Sequence, residues 1–121
     1  MPAEWNHIDD DQCRLFQASV ELIGRRWSSA ILLAVAQGAR RFSEIHGSVP
    51  GLSDRMLAQR LRELSAAEIL ARDVVPSTPV QVTYRLTPRG HELMAALQPL
   101  VRWGVRWHAQ DEQAEAERDV G

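Results

Sequence analysis

Arg55, Gln59 and Arg62 recur at i, i+4 and i+7 in the stretch GLSDRMLAQRLREL, residues 51–64. At 100° per residue this spacing lines all three along one side of a helix, opposite Leu57, Leu61 and Leu64. A guanidinium presents a planar fork of donors that fits O6 and N7 of guanine, or two phosphate oxygens. A Gln amide fits N6 and N7 of adenine. A helix with one face buried and this row on the other suits the edges of base pairs. Arg55 and Gln59 are the candidates for bases. Arg62 is either a further reader or a solvated arginine paired with Glu63 or Glu68. Asp54, Met56 and Arg60 lie near the start or flank of the same helix, and Ser53 with the helix N-terminus suits phosphate. Arg40 and Arg41 precede a shorter helix, and Arg72 and Arg85 flank a predicted hairpin. These four suit backbone phosphates, which position a protein without specifying sequence.

Cys13 is the only cysteine, so any disulfide is intermolecular or to a small thiol. A helix N-terminus and Arg14 favour its reactivity, while Asp9, Asp10 and Asp11 oppose it. The plainer reading is a small hydrophobe on a stripe with Phe16 and Val20. Trp5, Phe16, Trp27, Leu100, Trp103 and Trp107 are candidates for a dimer interface or a small-molecule effector pocket, although a Trp at helical spacing equally suits a core. His7, His46, His91 and His108 have no ligand spacing, so no metal or other cofactor is expected. No Gly-rich phosphate loop, G-x-S-x-G or H-E-x-x-H is present, and an enzyme is not expected.

The 121 residues carry a formal charge of -2, unevenly spread. Glu4, Asp9, Asp10 and Asp11 crowd the first eleven residues, and Asp111, Glu112, Glu115, Glu117 and Asp119 face only Arg118 in the tail. Residues 12–107 then hold seven acids and thirteen arginines, a balance of +6. A basic body suits a polyanion, here double-stranded DNA. All fourteen basic residues are Arg. No apolar run approaches a membrane span, and MPAEWNHIDDDQC lacks the basic and apolar regions of a signal peptide, so the expected compartment is the cytoplasm.

The elements that position these residues follow from periodicity and punctuation. Residues 1–11 read as a polar arm and 12–108 as one domain. Residues 109–121, acidic and poor in large apolar groups, read as a disordered tail. DQCRLFQASVELIG is a helix capped by Asp10 or Asp11, and RRWSSAILLAVAQG is a second, with Trp27, Ile31 and Val35 on one side. RFSEIHGSV is a short helix anchored by Phe42 and Ile45. Pro50-Gly51 turns the chain, and Ser53 caps the helix over 53–65. ILARDVV and VQVTYRL form a β-hairpin around PSTP. Thr87 caps a last helix with Pro88 at its first position, and Pro99 predicts a kink or break. The fold class is mainly α with a small β-hairpin wing: a winged helix-turn-helix of order α-α-α-α-β-β-α. In that architecture the second short helix lies in the major groove.

The chain also resembles the HxlR family of bacterial transcriptional regulators, a branch of the MarR-like winged-helix proteins. The likeness runs from Cys13 to about His108. It rests on RF-x-E-I, PG-x-S-x-RML-x-x-RL-x-EL and Y-x-LT-x-x-G in this order, with ELIGRRW before them and RWGVRWH after. Arg26 stands where the family often has Lys, Arg14 where Pro is common, and AAEIL replaces an acidic-Gly-Leu turn. The resemblance implies a homodimer, paired through its terminal helices, on a pseudo-palindromic operator. Repression is the expected direction of control, with activation open, since the same contacts serve either. The resemblance also implies that Cys13 is placed to sense oxidants or electrophiles, as several relatives do at this position. A small-molecule effector is the other expected signal. The competing reading is a winged-helix protein-interaction module without operator binding.

Overall fold

The computed structural model describes residues 5–120. The elements run α1 (Asp10–Gly24), α2 (Ser28–Ala36), α3 (Phe42–Ser48), α4 (Asp54–Ala66), β1 (Leu70–Val75), β2 (Gln81–Leu86) and α5 (Pro88–Val120). This is the expected winged helix-turn-helix. The core is built from α2, α3, α4 and the wing root. Ile31, Leu32, Val35, Ile45, Leu57, Leu61, Leu64 and Leu70 are its most buried apolar side chains.

Local chemistry sets most boundaries. The Asp9 carboxylate accepts from Gln12 N at 2.8 Å and the Gln12 side chain accepts from Asp9 N at 3.1 Å, so α1 begins one residue before the expected caps. Reciprocal capping of this kind satisfies two otherwise orphaned N–H groups. Ser53 Oγ accepts from Met56 N at 3.1 Å and caps α4 as expected. Thr87 Oγ1 accepts from Gly90 N at 2.9 Å at the head of α5. Gly90 is required there by close approach: a Cβ at this position would lie 2.2 Å from the carbonyl oxygen of Ile69.

Other boundaries differ from expectation. The second helix begins at Ser28 rather than Arg25, because Trp27 adopts φ 80°, a left-handed conformation that interrupts the helix. Glu68, in the turn before β1, also lies there at φ 60°. Glycine favours that conformation, and here a side chain occupies it. The wing strands pair antiparallel, with Leu70 opposite Leu86 and Arg72 opposite Tyr84. Tyr84 N donates to Arg40 O at 2.7 Å and ties the wing to the loop before α3.

α5 continues through Pro99 and on to Val120, so the acidic tail is helical rather than disordered. Pro99 is exposed, and the carbonyl four residues before it is free to meet water. The tail extends a helix already nucleated and is rich in Ala, Glu and Gln, so it avoids the nucleation cost that short isolated helices bear. His108 and Glu112 pair across one turn at 3.1 Å.

α1 contains no buried residue. Phe16 is 58% exposed, and Trp103 on α5 is 62% exposed. Two apolar troughs lie between these helices. One of about 610 Å³ is lined by Leu15, Leu22 and Leu93 among others. One of about 500 Å³ is lined by Val20, Ile23, Leu33, Met94, Leu97 and Leu100 among others.

Candidate nucleic-acid interface

α4 presents the face read from its spacing. Leu57, Leu61 and Leu64 are buried, while Arg55, Gln59 and Arg62 are exposed. Ser53 and Asp54 are exposed at the helix start, where His46 Nε2 on α3 lies 3.3 Å from Asp54 Oδ1. This contact links the two short helices at the entry to α4.

The arginines divide by partner. Among the described residues, Arg55, Arg62 and Arg72 have no carboxylate within ion-pairing distance. Arg62 has neither of the partners considered for it, since Arg25 and Arg60 occupy Glu63 and Arg89 lies beside Glu68. Arg62 and Arg72 line one crevice of about 500 Å³ between α4 and the wing. Arg40 donates to the carbonyls of Val35 at 3.0 Å and Ala39 at 3.3 Å, and Arg41 donates to Gln81 Oε1 at 3.2 Å. Both keep their charge unneutralised. Glu44 nearby accepts from Arg41 N at 2.9 Å and from Arg40 N at 3.3 Å. These two backbone donors, Arg41 first, hold its carboxyl below the usual carboxylate range.

Four residues take other places than expected. Arg60 is buried, with Nε donating to Arg26 O at 2.9 Å and Nη1 to both Glu63 oxygens at 3.1 and 3.2 Å. It therefore binds its own fold, with the side chain 11% exposed. Met56 is half-buried against the core. Arg85 pairs with Asp73 at 2.9 Å, and alternation along the strand puts it on the wing face opposite Arg72. Trp27 packs on the core beside Gly51, with Arg26 4.8 Å over its ring, away from the exposed aromatics of α1 and α5.

Glu63 emerges as a residue of consequence. Its carboxylate accepts from Arg25 at 3.3 Å, from Gln59 at 3.3 Å and from Arg60. The i, i+3 and i, i+4 spacings to Arg60 and Gln59 were a legible signal. Arg25, 38 residues away, left none.

Cys13 is exposed on α1. Arg14 beside it is ion-paired with Asp11. Trp5 meets the Phe16 ring edge-on at 6.4 Å. Leu100 lines the second trough, while Trp5, Phe16, Trp27, Trp103 and Trp107 line neither. Among the described residues no cluster of His, Cys, Asp or Glu could hold a metal ion, and no helix is long and apolar enough to cross a membrane.

Comparison with known proteins agrees with this geometry. Residues 22–112 match the family model of the HxlR-like helix-turn-helix. YodB of Bacillus subtilis, an HTH-type transcriptional regulator, is 41% identical over 96 residues, covering 79% of this chain and 86% of YodB. The crystal structure of diamide-treated YodB matches with a TM-score of 0.67 at 40% identity, over 74% of this chain and 89% of that one. The redox regulator HypR in its oxidised form matches with a TM-score of 0.69 at 31% identity, over 75% and 94% of the two chains. A MarR-family regulator from Enterococcus faecalis V583 matches with a TM-score of 0.76 at 27% identity, over 88% and 96%. The family match spans both short helices, the wing and most of the last helix, and the chain belongs to the HxlR-like helix-turn-helix family of transcriptional regulators.

Proposed function

We propose that the protein is a repressor that binds a pseudo-palindromic operator as a homodimer. One observation carries the reading: Arg55, Arg62 and Arg72 stand unneutralised on the outer face of α4 and at the wing root, while Arg25, Arg60, Arg85 and Arg89 are paired with carboxylates. In this reading α4 enters the major groove, with Arg55 and Gln59 at base edges. Ser53, Arg40, Arg41, Arg62 and Arg72 meet the backbone. The exposed apolar faces of α1 and α5, with Leu15, Phe16, Val20, Leu100, Trp103 and Trp107 uncovered, supply the dimer contact.

Cys13 is the proposed point of control. Its exposure on α1, within the proposed dimer contact, supports this, as do the kinship with YodB, whose structure is known after diamide treatment, and with oxidised HypR. Two thiols, from two subunits or from Cys13 and a small thiol, form a disulfide and give two electrons and two protons to the oxidant. The test begins with selection of bound duplexes from a random-sequence library. Affinity for the selected site is then measured with reduced protein, diamide-treated protein and Cys13→Ser. The reading requires paired half-sites about one helical turn apart, and binding that diamide changes in the wild type but not in Cys13→Ser. Failure to enrich any paired site removes the operator reading. Equal responses in both proteins remove the cysteine and leave an effector.

A further inference from the structure

The three residues between α1 and α2, Arg25, Arg26 and Trp27, grip the reading helix at two points. At its middle, Arg60 Nε donates to Arg26 O at 2.9 Å, and Glu63 accepts from both Arg60 and Arg25. At its entry, the Trp27 ring lies against Gly51, where an added Cβ would sit 3.5 Å from the ring. Trp27 itself is held in a left-handed backbone conformation, which a bulky side chain adopts only where its surroundings enforce it. Arg25 is the C-cap of α1. The α1–α2 turn and the middle of α4 are thus joined by directional bonds.

The Arg60 side chain is 11% exposed. A leucine would fill such a place without desolvating a charge, so packing alone does not account for a guanidinium there. What the guanidinium adds is direction, since it fixes the angle of α4 against the α1–α2 turn. We propose that Arg60 and Glu63 are positioning residues that lock the reading helix to the end of α1. They thereby set the separation of the two reading helices in the dimer. The proposal rests on the operator reading above.

The test uses Glu63→Gln and Arg25→Ala in the full-length chain. Arg25 is exposed, so its removal breaks the Arg25–Glu63 pair without opening the core. Duplexes carrying the selected half-sites are compared at the native spacing and at one base pair more and one less, beside a single half-site. Dimer dissociation and thermal midpoint are measured in parallel. A merely structural role would lower stability or all affinities together. Expected is a loss of spacing discrimination of at least about fivefold in Glu63→Gln and in Arg25→Ala, with half-site affinity and salt dependence in Arg25→Ala as in the wild type. Unchanged spacing discrimination in both folded, dimeric variants overturns this proposal alone. A wild type that selects no paired half-sites overturns the operator reading, and this proposal with it.

Discussion

Replacing Arg72 with Ala separates a phosphate contact from a bystander, because Arg85 on the neighbouring strand is a built-in control. Arg72 has no carboxylate partner and lines the crevice it shares with Arg62 on α4. Arg85 is neutralised by Asp73 at 2.9 Å and points from the other face of the wing. Each phosphate contact contributes about 0.9 to the slope of log affinity against log salt concentration. A dimer loses two such contacts in Arg72→Ala, so its slope falls by about 1.8. Over a fourfold rise in salt, from about 50 to about 200 mM, the variant then loses about twelvefold less affinity than the wild type. Arg85→Ala leaves the slope within about half a unit, because an arginine already paired with Asp73 displaces few counterions. Fluorescence anisotropy with the selected duplex at four salt concentrations measures both. An unchanged slope in Arg72→Ala, or an equal loss in Arg85→Ala, would refute the assignment of the inner wing face to the duplex.

Other consequences are equally open to measurement. Arg55→Ala weakens operator binding by about 1–3 kcal/mol and relaxes one base position, read by repeating the sequence selection with the variant. Gly90→Ala drives a Cβ to 2.2 Å from the Ile69 carbonyl oxygen. It costs about 3 kcal/mol by overpacking, a fall in thermal midpoint of about 10 °C. Glu44 has a folded-state pKa below its unfolded value, owing to the backbone N–H groups of Arg41 and Arg40. Its contribution is present above the unfolded pKa and lost as pH falls through the folded one. Glu44→Gln therefore melts below the wild type at neutral pH, and the gap closes on acidification, as a series of thermal melts would record.

What could be read from the chain was what neighbours in sequence decide. Leu57, Leu61 and Leu64 announced the buried face of α4, Ser53 and Thr87 announced their caps, and the prolines flanking Ser77 and Thr78 announced the tip of the wing. What could not be read was decided across the fold. Arg60 looks like one more surface arginine until Arg26, 34 residues earlier, brings its carbonyl to within 2.9 Å. Arg85 looks like a companion of Arg72 until strand alternation sends it to Asp73 on the other face. Trp27 fits a helical stripe by spacing, yet its left-handed backbone sets it outside the helix with its ring against Gly51. Composition misled over the tail, because acidic polar residues that would not nucleate a helix can still prolong one.

The long last helix carries a concentration of negative charge out to its C-terminal end. From His108 to Asp119 it runs about 18 Å beyond Trp107 as an exposed rod bearing five acids and one arginine. On the proposed operator reading, the field of a duplex repels this rod before any atom touches. Encounters that begin rod-first are repelled and short-lived. On that reading the rod acts on the kinetics of approach.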